Sequence, residues 1–266
     1  MKRTVPVLLS VAAVAVAVCL ESAYPATSFA SSRSAEVAEQ RVLPPFSRIV
    51  VKGFAEVTLV QGGAESVIVE GGARPGAQAD ISDGTLTIAG GRSRHWWSWP
   101  FGGGARPARV TVTFRALDAI SAAGSVKLRA DRLSADRLAV SASGATSVRI
   151  ADLDAKELSV DGSGAMKAEL AGRTVTQKIA IAGAGEYRAA DLASQDARVT
   201  VSGAGQVVVR AEKTLRIVLS GAGSVEYLGN PEVTQEITGV GRVSRRAAAV
   251  TPAPIAKASV VPSRGS

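Results

Sequence analysis

The second half of the chain alternates apolar and polar residues in short runs, and a phrase of small residues interrupts each run. In 199–209 the phrase is Ser-Gly-Ala-Gly, and close variants return in 217–227, 179–189, 158–168 and 138–150. Alternation with a period of two is typical of strands with one buried face. The copies recur about every 18 to 22 residues. A short repeat of nearly constant length predicts an all-β solenoid in which neighbouring coils bury a common core.

The glycines of the phrase are expected to form a tight corner that repeats from coil to coil. Small residues allow adjacent corners to approach closely and allow positive φ angles. Thr146 interrupts the glycine pattern in one copy. The alignment of the copies predicts structural turns at Gly124, Gly144, Gly164, Gly185, Gly205, Gly223 and Gly241.

The first half of the domain carries the same kind of pattern less regularly. Short β-branched or alternating runs occupy 48–53, 56–60, 66–70, 85–88 and 109–114, with Gly-rich and Asp-Gly turn signals between them. These runs predict strands, and no amphipathic helix is expected in the domain.

The two ends of the chain differ from this repeat. Residues 1–30 combine Lys2 and Arg3, an apolar run and a small-residue cleavage site before Ser31, which predicts a cleaved signal peptide. A lipid anchor through Cys19 is the alternative. Residues 31–45 are expected to be a flexible leader and 247–266 a disordered Pro/Ala-rich basic tail, leaving 46–246 as one domain.

Composition then excludes several kinds of chemistry. Without residues 1–30 the chain has no cysteine and a single histidine, His95, so disulfides, Cys/His zinc sites and thiol nucleophiles are excluded. No cofactor is expected. The formal charge of +8 falls to +7 once the signal is removed, which suits anionic envelope partners as well as simple solubility. Export and the lack of a recognition motif argue against nucleic acid.

The order of these phrases resembles a known family. The opening 46–62, the middle Asp83-Gly-Thr-Leu-Thr-Ile and the later Ser-Gly-Ala-Gly copies together resemble the DUF2807 family, the putative auto-transporter adhesin head GIN domain, over roughly 46–242. The resemblance implies a right-handed parallel β-helix-like fold in exported or envelope-attached bacterial proteins. It brings no catalytic residues, and likeness of fold alone is weak support for function.

An aromatic cluster is the first candidate for chemistry. All three tryptophans, Trp96, Trp97 and Trp99, lie with Phe101 in a Gly- and Arg-rich stretch. Such a cluster suits stacking on sugar rings or contact with a membrane interface. The alternative is that the rings cover an open end or side of the solenoid. We retain both interpretations.

A stripe of positive charge is the second candidate. Lys127, Arg149, Lys167 and Arg188 each follow an apolar position after the corner, and a second series precedes it at Arg137, Lys178, Arg198 and Arg216. Stacked like charges repel by about 1 kcal/mol per pair in water, which an anionic polymer or neighbouring carboxylates would relieve. The stripe is therefore either an anion-binding groove or a solvated, ion-paired face.

An enzyme is the weakest of the functional hypotheses. Polysaccharide-cleaving β-helices need paired carboxylates, whereas Asp161 stands near the corner without an evident acid–base partner. The sequence therefore favours an exported, non-enzymatic, adhesin-like binding module at the bacterial envelope, in the periplasm or on the cell surface. Its expected partners are anionic glycan or another surface polymer, or envelope proteins, and no transmembrane segment is expected in the mature chain. The alternatives are a structural or sensory ectodomain in an envelope complex and, as a minority hypothesis, a carbohydrate-active enzyme.

Overall fold

The computed structural model describes residues 39–70, 77–90 and 107–246, and every regular element in these ranges is a β-strand, as predicted. Within them no helix is long and apolar enough to cross a membrane. The predicted signal peptide, residues 31–38 of the predicted leader, the tryptophan cluster and the predicted tail lie outside the described residues. The strands are β1 (Glu39–Val42), β2 (Arg48–Gln61), β3 (Ser66–Glu70), β4 (Ala77–Ser82), β5 (Thr85–Gly90), β6 (Ala108–Phe114), β7 (Ala119–Gly203), β8 (Gln206–Gly221), β9 (Ser224–Leu228), β10 (Glu232–Gly239) and β11 (Arg242–Arg245).

Most of these strands pair in parallel with a later copy of the repeat. Strand β2 pairs in parallel with β5, β6 and β7, and β8 pairs in parallel with β7, β9 and β10. Strand β7 continues through several repeats without interruption. Its register with β8 shifts between Ala189 and Ala193 and again between Ser194 and Asp196, so the extra residues of that repeat are absorbed there.

The interior consists of apolar columns built by the alternation. In β8, Leu215, Ile217 and Leu219 are buried, whereas Arg216 and Ser220 between and after them are exposed. Ile217 is in register with Val199 of β7, so like side chains stack from one repeat to the next. Fully burying such a side chain contributes about 1.5–3 kcal/mol, and a slip of one residue would expose the whole column.

One polar group interrupts this apolar interior. Gln177 is fully buried, and its Nε2 donates hydrogen bonds to Ser194 Oγ at 2.7 Å and to the carbonyl oxygen of Arg210 at 3.1 Å. Ser194 Oγ in turn donates to the same carbonyl at 2.6 Å. The side chain of Gln177 therefore ties three successive turns of the chain together.

The corner is a stack of glycines with positive φ. A Cβ on Gly144 would lie 2.7 Å from the carbonyl oxygen of Gly124, and one on Gly183 would lie 2.8 Å from that of Gly164. Only glycine permits both this backbone approach and the positive φ. The stacked corner glycines are Gly53, Gly124, Gly144, Gly164, Gly183, Gly203, Gly221 and Gly239.

This stack corrects the predicted register in the last four repeats. The corner there lies two residues before the predicted Gly185, Gly205, Gly223 and Gly241. Gly185 and Gly205 face the core instead, where a Cβ would meet Ile181 and Val201 side chains at 2.6 and 2.9 Å. Thr146 occupies the equivalent inward position, where it is buried and its hydroxyl donates to the carbonyl of Ser143 at 3.2 Å.

The N-terminal end of the parallel stack is extended by antiparallel strands. Strand β3 pairs antiparallel with β6, β1 pairs antiparallel with β3, and β4 pairs antiparallel with β5. The stack at the other end stops in the parallel strands β10 and β11 among the described residues. The two ends are therefore built differently.

Candidate functional site

The predicted basic stripe divides into two columns on the strand that follows the corner. Counted from the stacked corner glycines, Lys127 and Lys167 lie three residues past the corner, whereas Arg149 and Arg188 lie five residues past it. The sequence alignment placed them in one line because its reference positions in the repeats of Arg149 and Arg188 were Thr146 and Gly185, each two residues past the corner glycine. We call this exposed surface, after the corner, the charged face.

Carboxylates neutralise the C-terminal half of the charged face. Glu169 receives Arg149 Nη1 at 3.3 Å, Lys167 Nζ at 3.3 Å and Arg188 Nη1 at 3.7 Å. Glu186 also pairs with Lys167 and Arg188. Three of these pairs join neighbouring repeats and two lie within a repeat, so the ion-paired interpretation describes this half of the surface.

The N-terminal half of the charged face carries an excess of cations. Arg109, Glu56 and Lys127 stand side by side on the adjacent strands β6, β2 and β7. Glu56 lies 3.4 Å from Arg109 Nε and 3.2 Å from Lys127 Nζ. The hydrogen bond from Lys127, aided by both positive charges and opposed by burial, holds the pKa of the Glu56 carboxyl below its usual value.

A second row completes a cleft at this place. Thr111, Thr58 and Arg129 follow on the same three strands, two residues further on. With Val57 and Val110 as its buried floor, the cleft has a volume of about 260 Å³. Its charged lining is three cations and one carboxylate, so the cleft attracts anions. Arginine, lysine and hydroxyl donors together suit carboxylate, sulfate or phosphate oxygens. We call it the basic cleft.

The sequence identified only Lys127 of the basic cleft. Arg109 and Glu56 lie 53 residues apart in the chain, and Glu56 and Lys127 lie 71 apart. The signal that could have found Glu56 is the likeness of Gly53-Phe-Ala-Glu-Val to the later phrase Gly221-Ala-Gly-Ser-Val, which places Glu56 three residues past a corner as Lys127 is past Gly124. The strand β6 has no corner glycine among the described residues and gives no such signal.

The face before the corner has a different character. A shallow groove of about 350 Å³ is lined by small and hydroxyl side chains, with Asp161 as its one charged lining residue. Asp161 lies three residues before the corner Gly164, in the column of Ser141 and two residues before Ser163. The hydroxyls of Ser143 and Ser163 donate to carbonyls of the preceding repeat at 3.4 and 3.5 Å. A single carboxylate cannot supply the acid–base pair that glycoside hydrolysis needs.

Metal binding and the tryptophan cluster are the two remaining points of the predicted site. Within the described ranges no group of three or more His, Cys, Asp or Glu residues could hold a metal ion. Trp96, Trp97, Trp99 and Phe101 lie outside the described residues, in the connection between β5 and β6. Both interpretations of the tryptophan cluster therefore stay predictions.

Comparison with known proteins yields one family and several solved structures. A family profile described as "Putative auto-transporter adhesin, head GIN domain" (DUF2807) matches residues 45–231. No curated protein matches the sequence. A putative adhesin from Bacteroides fragilis NCTC 9343 is 20% identical with a TM-score of 0.72, covering 79% of this chain and 96% of its own.

Two further solved structures share the fold. A protein from Parabacteroides distasonis ATCC 8503 described as a putative lipid binding protein is 19% identical with a TM-score of 0.59, covering 79% of this chain and 96% of its own. A putative adhesin from Parabacteroides merdae ATCC 43184 is 19% identical with a TM-score of 0.53, covering 79% and 95% respectively. At these identities the likeness concerns the fold.

Proposed function

This chain belongs to the DUF2807 family, the "Putative auto-transporter adhesin, head GIN domain", and on that basis we propose that it is an exported, non-enzymatic binding module at the bacterial cell envelope. The adhesin-like character of the family and of its structural neighbours supports a binding role. We further propose that the stacked parallel repeats form a right-handed parallel β-helix. The parallel pairing at a step of about 18 to 20 residues supports that assignment.

We propose that the basic cleft contacts the ligand, and that the ligand is an anionic envelope glycan. The observation that carries the proposal is the excess of cations at Arg109, Lys127 and Arg129 around one carboxylate, with Thr58 and Thr111 as neighbouring hydroxyl donors. Acidic sugars present carboxylate, sulfate or phosphate groups beside free hydroxyls, and this lining can donate to both.

Two other parts of the predicted site enter the proposal differently. Arg149, Lys167 and Arg188 are held in ion pairs by Glu169 and Glu186, so they contribute less to ligand contact than the cations of the basic cleft. The tryptophan cluster precedes β6 and therefore Arg109 in the chain. We propose that Trp96, Trp97, Trp99 and Phe101 stack on sugar rings of a polymer bound at the cleft.

The test uses the purified protein and polymers that differ in charge. Isothermal titration with alginate, dextran sulfate and neutral dextran should give binding to the two anionic polymers alone, weakening as sodium chloride is added. Vesicles containing phosphatidylglycerol form a separate arm, because a lipid phosphate offers the same anionic chemistry and one structural neighbour is described as lipid binding.

Two variants with opposite expected effects on affinity make the test specific to the basic cleft. Arg129→Gln should weaken binding of the anionic polymers, whereas Glu56→Gln should strengthen it because Lys127 and Arg109 lose their competing carboxylate. Arg173→Gln, which removes an equal charge from a surface arginine paired with Asp154, is the matched control. Equal affinity for neutral dextran, or equal loss in Arg129→Gln and Arg173→Gln, would contradict a role for the cleft.

A further inference from the structure

The C-terminal end of the repeat stack presents two strand edges that are unpaired within the described residues. Strand β10 pairs with β8 on one side, and β11 pairs with β9 on one side. Such an edge exposes a row of backbone donors and acceptors that can pair with another strand. We call β10, β11 and the corner between them the C-terminal edge.

The C-terminal edge combines exposed apolar residues with polar residues at inward positions. Val240 at the corner is 89% exposed and Ile237 is 41% exposed. Gln235 is in register with buried Ile217, and Arg245 is in register with Tyr227, so both occupy the apolar columns of earlier repeats. A further repeat stacked in parallel would bury Gln235 and Arg245 against apolar side chains, which costs free energy.

The same polar residues match each other if the edge meets its own copy. A two-fold axis through the corner at Val240 would lay β10 antiparallel to β11 of a second copy. Counting outward from Val240, Ile237 then faces Val243 of the second copy, and Gln235 faces Arg245 of the second copy. An apolar pair and a hydrogen-bonding pair would thus replace the mismatch of a continued stack.

Charge follows the same register. Strand β10 carries Glu232 and Glu236, and β11 carries Arg242 and Arg245. In the antiparallel arrangement Glu236 lies diagonal to Arg242 of the second copy, within reach of a long side chain. We propose that the C-terminal edge is a homodimer interface, in which two chains join end to end through β10 and β11. Because a two-fold contact uses each edge once, the assembly closes as a dimer.

Sedimentation of the purified protein over a wide concentration range tests this proposal. The protein should show a monomer–dimer equilibrium. Glu236→Lys and Arg242→Glu should each raise the dissociation constant by about tenfold or more, because each places like charges diagonally across the interface. The double variant Glu236→Lys/Arg242→Glu exchanges the two charges and should return the constant to within about threefold of the original.

The same sedimentation measurement provides the control and shows which results would contradict the proposal. Glu212→Lys makes an equal charge change at an exposed position on β8 and should leave the equilibrium unaltered. Circular dichroism confirms that each variant is folded. A folded protein that stays monomeric at every concentration would overturn the proposal. So would a dimer that both single substitutions leave intact, or one that the charge exchange fails to restore. Failure here would leave polysaccharide binding at the basic cleft unaffected.

Discussion

The phenolic hydroxyl of Tyr187 donates a hydrogen bond to Oε1 of Gln177 at 3.2 Å inside the core. Both side chains are fully buried. The bond makes Tyr187 the fourth member of the hydrogen-bond network that joins Gln177, Ser194 and the carbonyl of Arg210. Burial raises the pKa of Tyr187 above its usual value, so the hydroxyl stays protonated and remains a donor. A polar group in a solenoid core is tolerated because each of its atoms has a partner.

Removing the Tyr187 hydroxyl should therefore destabilise the protein. Tyr187→Phe leaves Gln177 Oε1 buried without its donor, at an expected cost of about 1–3 kcal/mol. Chemical denaturation measures the change in the free energy of unfolding. Tyr227→Phe removes a hydroxyl from a partly exposed tyrosine and should cost less than about 0.5 kcal/mol. Equal effects of the two substitutions would contradict a structural role for the buried hydrogen bond.

Substitution by alanine should be costly at a corner glycine and harmless at a glycine outside the corner stack. Gly203 has a φ of 124°, and a Cβ there would lie 2.6 Å from the carbonyl oxygen of Gly183. Gly203→Ala should lower the free energy of unfolding by at least about 1–3 kcal/mol. Gly63 has open space around the position of a Cβ, so Gly63→Ala should change it by less than about 0.5 kcal/mol. Thermal melting of both variants checks the difference.

The Glu56 carboxylate should make stability depend on pH in the acid range. Its folded pKa lies below the usual value of 4.5, so the unfolded chain binds the proton more readily. The stabilisation is complete above about pH 5 and is lost as the pH falls through the folded pKa. Glu56→Gln should be less stable than the original protein at neutral pH and equally stable at strongly acid pH. Urea denaturation at the two pH values measures the difference, and a constant difference would contradict this origin.

Substitution of the tryptophan cluster should show whether the rings serve ligand binding or stability. If Trp96, Trp97 and Trp99 stack on ligand, their replacement by alanine should abolish binding of anionic polysaccharide without altering the melting temperature. If the rings cover the core, the melting temperature should fall instead. Binding and melting measured on the same triple variant distinguish the two outcomes.

Export makes a prediction about covalent structure. If the signal peptide is cleaved after Ala30, the protein recovered from the producing cells should begin at Ser31. Intact-mass spectrometry measures this directly. A mass that corresponds to a lipid-modified N-terminal Cys19 would instead support membrane anchoring.

The repeat itself was predictable, whereas the exact alignment of its side chains was not. Alternation at 199–209 and 217–227 fixes which residues are buried, because the same columns return in every copy. The corner could be either Gly183 or Gly185, because the two glycines of one phrase look alike in the sequence. Only the φ angle and the close approach of the neighbouring backbone distinguish them. A similar shift, from Gly144 to Thr146, put Lys127 and Arg149 in one predicted column, whereas they lie three and five residues past their corners.

Most of the basic cleft could not be predicted from the sequence, for a different reason. Its central contact, between Glu56 and Arg109, joins β2, which carries the corner glycine Gly53, to β6, which has no corner glycine among the described residues. No periodicity relates β6 to β2, so only the three-dimensional pairing brings them together. Arg149 and Lys167 could be recognised as cations in the sequence, but their ion pairs with Glu169 could not. Glu169 pairs with Lys167 of its own repeat and with Arg149 of the preceding repeat, and the second contact depends on how the repeats stack.

The register shifts near Ala189 and Ser194 determine where this protein can change. They lie away from the corner, and the residues on either side of them return to the same register in β8. The extra residues are absorbed around exposed Asp191, between buried Ala189 and buried Leu192, and the core columns and the glycine stack keep their positions. An inserted loop is therefore expected to be tolerated at exposed Asp191, where a new binding specificity could be acquired, but not at Ser194, whose buried hydrogen bonds it would break.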